Sequence, residues 1–320
     1  MTLLKTGNKK IILFLIVVLL LAAFFFIGKL LYTDSSEKEA ASVEMDQWLY
    51  GITVDDGWYD DVETEAVIDA IRDMPMKPTV RIVMSKEIPA PDYKALFSQI
   101  HEVAYVMACP VDSSDMGFYK DEQDYLKRFQ DAYSVLKPYI DLWEIGNEIN
   151  GVEWIGQEPE LIVKKAWAAN DWLRSQGART ALTMYYDRPE EQDMFQWMDE
   201  NLPESLSRSV DFALISYYED DNEGYIPEWS RIFSAFEAVF PDAKVGFGEC
   251  GNTAKDATED SKLRMSRFYY TMEPPSEHYI GGCFWWNWVQ DCVPHKGNAV
   301  YEGINRWMRE SADFPRIINE

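Results

Sequence analysis

Histidine and basic charge are what this sequence has least of. Its histidines are His101, His278 and His295, and none falls at the end of a predicted strand. That removes the usual ligands of a metal-dependent hydrolase, so neither a metal nor another cofactor is expected. Lys and Arg number 30 against 55 Asp and Glu, a formal net charge of −25. A surface this acidic repels phosphate backbones and excludes nucleic acid as a partner. The acidic runs Asp55-Asp56 and Glu219-Asp220-Asp221 are read as solvated loops rather than calcium sites. Cys109, Cys250, Cys283 and Cys292 lack the close pairing of a zinc site. Export would permit two of them to oxidise, with Cys250 and Cys283 on neighbouring predicted strands, but spacing does not set disulfide geometry. No glycine-rich phosphate loop follows the first predicted strand, and no repeat or low-complexity segment interrupts the chain.

What is present begins with an unbroken apolar run, Ile11 to Ile27, preceded by Lys5, Lys9 and Lys10. It exceeds the roughly 7–15 apolar residues of a cleaved signal peptide and approaches the roughly 17–25 that cross a bilayer. Residues 1–31 are therefore read as a cytoplasmic stub and an uncleaved transmembrane signal anchor. Residues 32–46, rich in Ser, Glu and Ala, form a linker, and 47–320 one folded domain. The preceding lysines place that domain outside the cytoplasm, at the cell surface, or secreted if the segment is cleaved. The chain is read as a monomer.

From Gln47 onward, short β-like runs alternate with amphipathic ones. Strands are predicted over 49–54, 79–84, 103–108, 139–146, 180–185, 211–216, 244–248 and 280–288. Helices are predicted over 63–74, 92–101, from about 189, and over 227–240, 260–272 and 299–309. Two further helices are marked by their spacing. Tyr125, Phe129, Ala132 and Leu136 share one face of a 3.6-residue period, as do Ile162, Ala166, Ala169 and Leu173, with Gly177 as a stop. Eight strand–helix units in about 265 residues fit an α/β (β/α)8 barrel in order and size. A doubly wound open sheet fits less well, because it normally has fewer units.

In such a barrel the chemistry lies at the carboxyl ends of the strands. This sequence puts there Asp55, Asp56, Arg81, Asn147, Glu148, Tyr185, Tyr186, Tyr217, Tyr218, Glu249, Trp285, Trp286 and Trp288. Each has a plain structural explanation. An Asn-Glu pair can cap the helix after a strand, and a strand tryptophan is usually core. Two glutamates at the ends of strands four and seven, among aromatic residues and one arginine, fit something more specific. Glycosidic bond cleavage needs one protonated carboxyl beside the leaving oxygen and one ionised carboxylate, while aromatic faces pack on sugar rings.

Gly146-Asn147-Glu148 at strand four, Glu249 at strand seven and Phe284-Trp285-Trp286-Asn287-Trp288 at strand eight resemble glycoside hydrolase clan A, the retaining (β/α)8 glycosidases. Within the clan, Gly146-Asn147-Glu148-Ile149-Asn150 with Ser216-Tyr217-Tyr218 is similar to endo-β-1,4-galactanases, and cellulase- and mannanase-like members resemble the chain about as well elsewhere. Ser216 stands where several of these families place a histidine. The resemblance implies cleavage of β-linked oligo- or polysaccharides by double displacement. Glu148 would be the acid/base and Glu249 the nucleophile. Asn147 would hydrogen-bond the sugar 2-hydroxyl, Arg81 would favour the ionised form of Glu249, Tyr218 would orient it, and Trp286 would floor the reacting subsite. A one-residue shift of strand six would put Tyr217 in place of Tyr218. The alternative is a membrane-tethered barrel that binds glycans without turnover, since fold does not fix function.

Overall fold

A computed structural model of the chain describes residues 45, 47–59 and 61–314. They belong to the second of two compact units, Met45–Glu320. Met45, which the sequence reading places in the linker, is buried and counts with this unit. The predicted anchor over residues 1–31 lies outside the described residues. Among those described, no helix is long and apolar enough to cross a membrane.

Eight strands form one parallel sheet: β1 Leu49–Val54, β2 Thr79–Val83, β3 Tyr105–Cys109, β4 Leu142–Gly146, β5 Thr180–Tyr185, β6 Phe212–Ser216, β7 Lys244–Glu249 and β8 Gly281–Trp285. Every sequential pair from β1 to β7 is hydrogen-bonded, and β1 also pairs with β8. The ring closes where Val245 meets Tyr279 and Cys250 meets Trp285 in isolated parallel bridges between the β7 and β8 segments. The strands are buried almost throughout, as expected for a parallel sheet covered by helices. The expected (β/α)8 barrel is what the chain forms.

Closure is the irregular part. Gly281, Gly282 and Cys283 all have positive φ, at 79°, 89° and 54°, and the β1–β8 register shifts beside them. An ideal Cβ on Gly282 would lie 2.1 Å from the Phe247 carbonyl oxygen. Only glycine allows β7 and β8 to approach this closely.

The main barrel helices are α1 Thr64–Arg72, α2 Lys94–His101, α3 Glu122–Leu136, α4 Pro159–Ser175, α5 Met194–Asn201, α6 Trp229–Val239, α7 Glu259–Tyr270 and α8 Ala299–Ser311. The residues spaced by helical period in α3 and α4 are all fully buried. The side chain of Asp121 caps α3 by accepting from the backbone N–H groups of Gln123 and Asp124.

Two of the boundaries that differ from the sequence reading have a visible local cause or consequence. The fifth helix starts at Met194, not near Pro189, because the Asp193 carboxylate accepts from the N–H groups of Phe195 and Gln196. The eighth strand ends at Trp285, and Trp288–Cys292 is a short helix, so Trp288 is a buried core residue rather than a strand-end group. The aromatic run hid that break, since Trp and Phe suit strands and buried helices alike.

Candidate active site

At the carboxyl end of the barrel, a cavity of about 480 Å³ is lined by Asp112, Ser113, Ser114, Asn147, Glu148, Trp154, Tyr185, Tyr218, Asp221, Glu249, Thr253 and Trp286. Five of the six sequence-predicted site residues line it. The sixth, Arg81, lies fully buried with its guanidinium beside Glu249 and 5.6 Å from the Trp286 ring centre.

The turn after β4 explains its own sequence. Gly146 leaves room for Ile149, whose Cγ2 would be 2.6 Å from a Cβ there. Ile149 is fully buried under the turn. Glu148 has φ 46°, a left-handed conformation that costs a non-glycine residue about 1–3 kcal/mol. The Asn150 amide fastens the turn to the end of β5, donating to the Tyr185 carbonyl and accepting from the Tyr185 N–H, both at 2.7 Å.

Asn147 Nδ2 donates to Glu249 Oε1 at 2.9 Å and to Asp112 Oδ1 at 3.0 Å. Both of its amide protons are thereby engaged, and the buried Oδ1 has no partner. Tyr218 donates to Glu249 Oε2 at 2.7 Å. Arg81 Nη1 pairs with Glu249 Oε1 at 2.9 Å, and Arg81 Nε donates to Glu144 Oε2 at 2.7 Å. Glu144 also accepts from Thr183. Arg81 of β2 thus meets β4 and β7, neither of them its neighbour in the sheet, so Arg81 and Glu144 point into the barrel. Glu148 is held differently. Ser113 Oγ donates to its Oε2 at 2.9 Å and Ser216 Oγ to its Oε1.

Burial shifts both carboxyls upward. Glu249 is pushed up to about 7, with Arg81 and the Tyr218 hydroxyl pulling it back. Glu148 is raised well above the carboxylate range by burial first and by the charge of Glu249 second. The Ser216 and Ser113 hydroxyls oppose the shift. Glu249 therefore ionises first and Glu148 keeps its proton, which is the division of labour an acid and a nucleophile need.

Other strand-end candidates go elsewhere. Tyr217 is buried against Tyr186 and Trp229, and its hydroxyl donates to the Tyr225 carbonyl. Tyr218 is thus the tyrosine facing Glu249. Trp285 is buried and donates to Asp291 Oδ2 at 2.8 Å. Asp55 accepts from Gln290 and from the N–H of Gly57, and neither it nor Asp56 lines the cavity. The four cysteines are buried free thiols.

Sequence reasoning missed Asp112, Ser113, Glu144, Thr183 and Trp154. Asp112-Ser113-Ser114 carried a helix-start signal, and Asp112 does cap the short helix Ser113–Met116. Glu144 is the one charge in β4, Leu142–Gly146.

The loops that carry these groups are tied from beneath. Lys165 of α4 is fully buried. Its ammonium donates to the Met116 carbonyl at 3.0 Å, to the Tyr119 carbonyl and to Gln157 Oε1. Gln157 Nε2 in turn donates to the Gly117 and Tyr119 carbonyls. One cation thus joins the β3–α3 loop to the β4–α4 loop.

No protein-family model and no curated protein matches this chain. Solved structures of similar fold do. Saccharomyces cerevisiae Gas2p in complex with laminaritriose and laminaritetraose superposes with TM-score 0.52 at 14% identity, over 84% of this chain and 65% of that one. A glutamate-to-glutamine mutant of Gas2p, in complex with laminaritetraose and laminaripentaose, gives 0.52 at 12%, over 85% and 66%. ScGas2 in complex with compound 8 gives 0.51 at 13%, over 84% and 65%. The chain spans slightly less than two thirds of the length of these structures, and what it shares with them is the barrel fold.

Proposed function

We propose that this protein is a retaining glycoside hydrolase acting on β-linked glycans, with Glu249 as nucleophile and Glu148 as acid/base. The observation that carries the reading is the unequal surroundings of two buried glutamates at one cavity: a cation and a phenol on Glu249, two hydroxyls on Glu148. A Glu249 oxygen attacks the anomeric carbon as Glu148 passes its proton to the departing glycosidic oxygen, leaving a glycosyl ester on Glu249. With the charge on Glu249 consumed, the carboxylate of Glu148 takes a proton from water. The water oxygen attacks the anomeric carbon, and Glu249 leaves as the carboxylate. Asn147 Oδ1, unpartnered in the protein, accepts from a sugar hydroxyl beside the reacting carbon. The Trp286 ring carries the sugar's C–H face.

The fold likeness to Gas2p supports a glycan-processing barrel, and the laminari-oligosaccharides in those structures come first in a substrate panel. Full-length protein is to be assayed for reducing-end release on laminari-, cello-, manno- and galacto-oligosaccharides, beside Glu148→Gln and Glu249→Gln. Activity in the parent with a large loss in both variants, and a product first seen by NMR in the β-configuration, is the expected result. A first-formed α-product would rule out retention. Oligosaccharide binding without turnover would make the protein a glycan-binding barrel. The same reading keeps the barrel outside the cytoplasm on the predicted anchor. Protease treatment of intact cells should digest it, and full protection would remove that placement.

A further inference from the structure

The large apolar side chains exposed among the described residues are Tyr59, Phe118, Trp154, Tyr225 and Ile226, all in loops at the carboxyl end of the barrel. Trp154 is the one among them that lines the cavity. It is 41% exposed, yet its ring is held on two sides. An ideal Cβ on Gly151 would lie 2.0 Å from Cε2 and Cζ2 of the indole, so the ring lies directly over the Gly151 backbone. Its edge meets Tyr185 at 5.3 Å between centroids and 81° between planes. Tyr185 is itself pinned through its backbone by Asn150.

An exposed apolar ring that is fixed in place and rimmed by polar groups marks a binding surface. The polar residues beside it are Tyr185 and Asp221, which line the same cavity. A flat ring beside hydrogen-bonding groups suits a ligand with C–H faces and an equatorial fringe of hydroxyls, a pyranose. The strand order sets the direction. β4, which leads to Trp154, and β8, which leads to Trp286, are four strands apart in a ring of eight. The two tryptophans therefore stand on opposite sides of the barrel mouth.

The geometry points to a second sugar subsite on Trp154 and Tyr185, holding the pyranose across the scissile bond from the one over Trp286. This rests on the glycosidase reading and adds that the leaving group is itself a sugar. Gly151 is glycine to seat the platform. Its φ of −76° and ψ of 56° do not require glycine, and the three atoms nearest an added methyl all belong to the indole.

The test uses full-length parent, Trp154→Ala, Trp154→Phe and Gly151→Ala, with calorimetric titration of laminaritetraose, cellotetraose, mannotetraose and galactotetraose. For any tetraose the parent binds, Trp154→Ala should weaken affinity about three- to tenfold, a range set by one lost ring contact. Trp154→Phe should recover most of it, and Gly151→Ala should fall between. Hydrolysis of that tetraose should suffer more than hydrolysis of the matching 4-nitrophenyl β-glycoside. Unchanged tetraose affinity in Trp154→Ala overturns the subsite. Equal losses on tetraose and nitrophenyl substrate, or a parent that binds none of the four tetraoses, do the same. Weaker binding in Trp154→Ala, with no turnover by the parent, keeps the subsite and removes the hydrolase.

Discussion

One glutamate ends β7 and another lies just beyond β4 in the same barrel, and their neighbours make them different acids. Glu249 faces Arg81, which can only donate and cannot lose its proton under ordinary conditions. Glu148 faces Ser113 and Ser216, whose hydroxyls donate to a carboxylate or accept from a carboxylic acid. The first environment holds one charge state. The second keeps its hydrogen bonds through a change of state, as an acid that later becomes a base requires. Residue type alone would not distinguish them.

The largest test of that difference uses the leaving group. Glu249→Gln should lose roughly 10⁴-fold or more in turnover on every substrate, because in the proposed reaction the ester forms on that carboxylate. Glu148→Gln should lose roughly 10²–10⁴-fold on oligosaccharides. On a dinitrophenyl glycoside, whose leaving group departs without a proton, its glycosylation step should be far less impaired, as burst kinetics would report. Equal losses on both substrates would erase the distinction between the two corners.

Removing the cation comes next. Arg81→Met leaves Glu144 and Glu249 buried without their shared partner. It should cost about 3–5 kcal/mol of stability, read from denaturant midpoints. A loss under about 1 kcal/mol would mean that the pair takes up protons instead of charge.

Smaller effects lie on the two limbs of the pH profile of kcat/KM. Tyr218→Phe removes a donor that favours ionised Glu249, so the acidic limb should move to higher pH. Ser216→Ala removes a donor that favours ionised Glu148, so the alkaline limb should move up instead. Movement of the same limb in both variants would contradict the assignment.

The smallest expected effect is on thermal stability. Folding raises Glu148 above its ordinary value of 4.5, so the native state holds that proton more tightly than the unfolded chain does. Its contribution is present below about 4.5 and is lost as pH rises through the higher folded value. Glu148→Gln should therefore gain in Tm relative to the parent between pH 5 and pH 8. A constant difference would show that folded Glu148 is already ionised by pH 5, as in the unfolded chain.

The barrel and its two carboxylates were legible because each rests on a local pattern. Short apolar strand runs, the buried stripes of α3 and α4, and Asn-Glu at a strand end all survive without tertiary information. Glu144 and Thr183 were not legible as site residues, because their role depends on facing Arg81 across the barrel, which no local window contains. Ser216 stood in plain view as a missing histidine, but only the fold shows its hydroxyl on Glu148. Trp154 was hidden for the opposite reason. Its turn, Val152–Ile155, is too short for a period to emerge. The run from Phe284 to Trp288 misled because aromatic content says burial without saying strand.

Lys165 sets the terms on which this cleft could be altered. Because one ammonium closes hydrogen bonds from both loops, the β3–α3 and β4–α4 segments form a single cassette rather than two independent parts. Asp112 and Ser113 ride on one and Trp154 on the other. A designer who grafts a foreign loop at either position would strand a buried cation. To change which ligand the cleft admits, both loops would have to be exchanged together, along with the lysine beneath them.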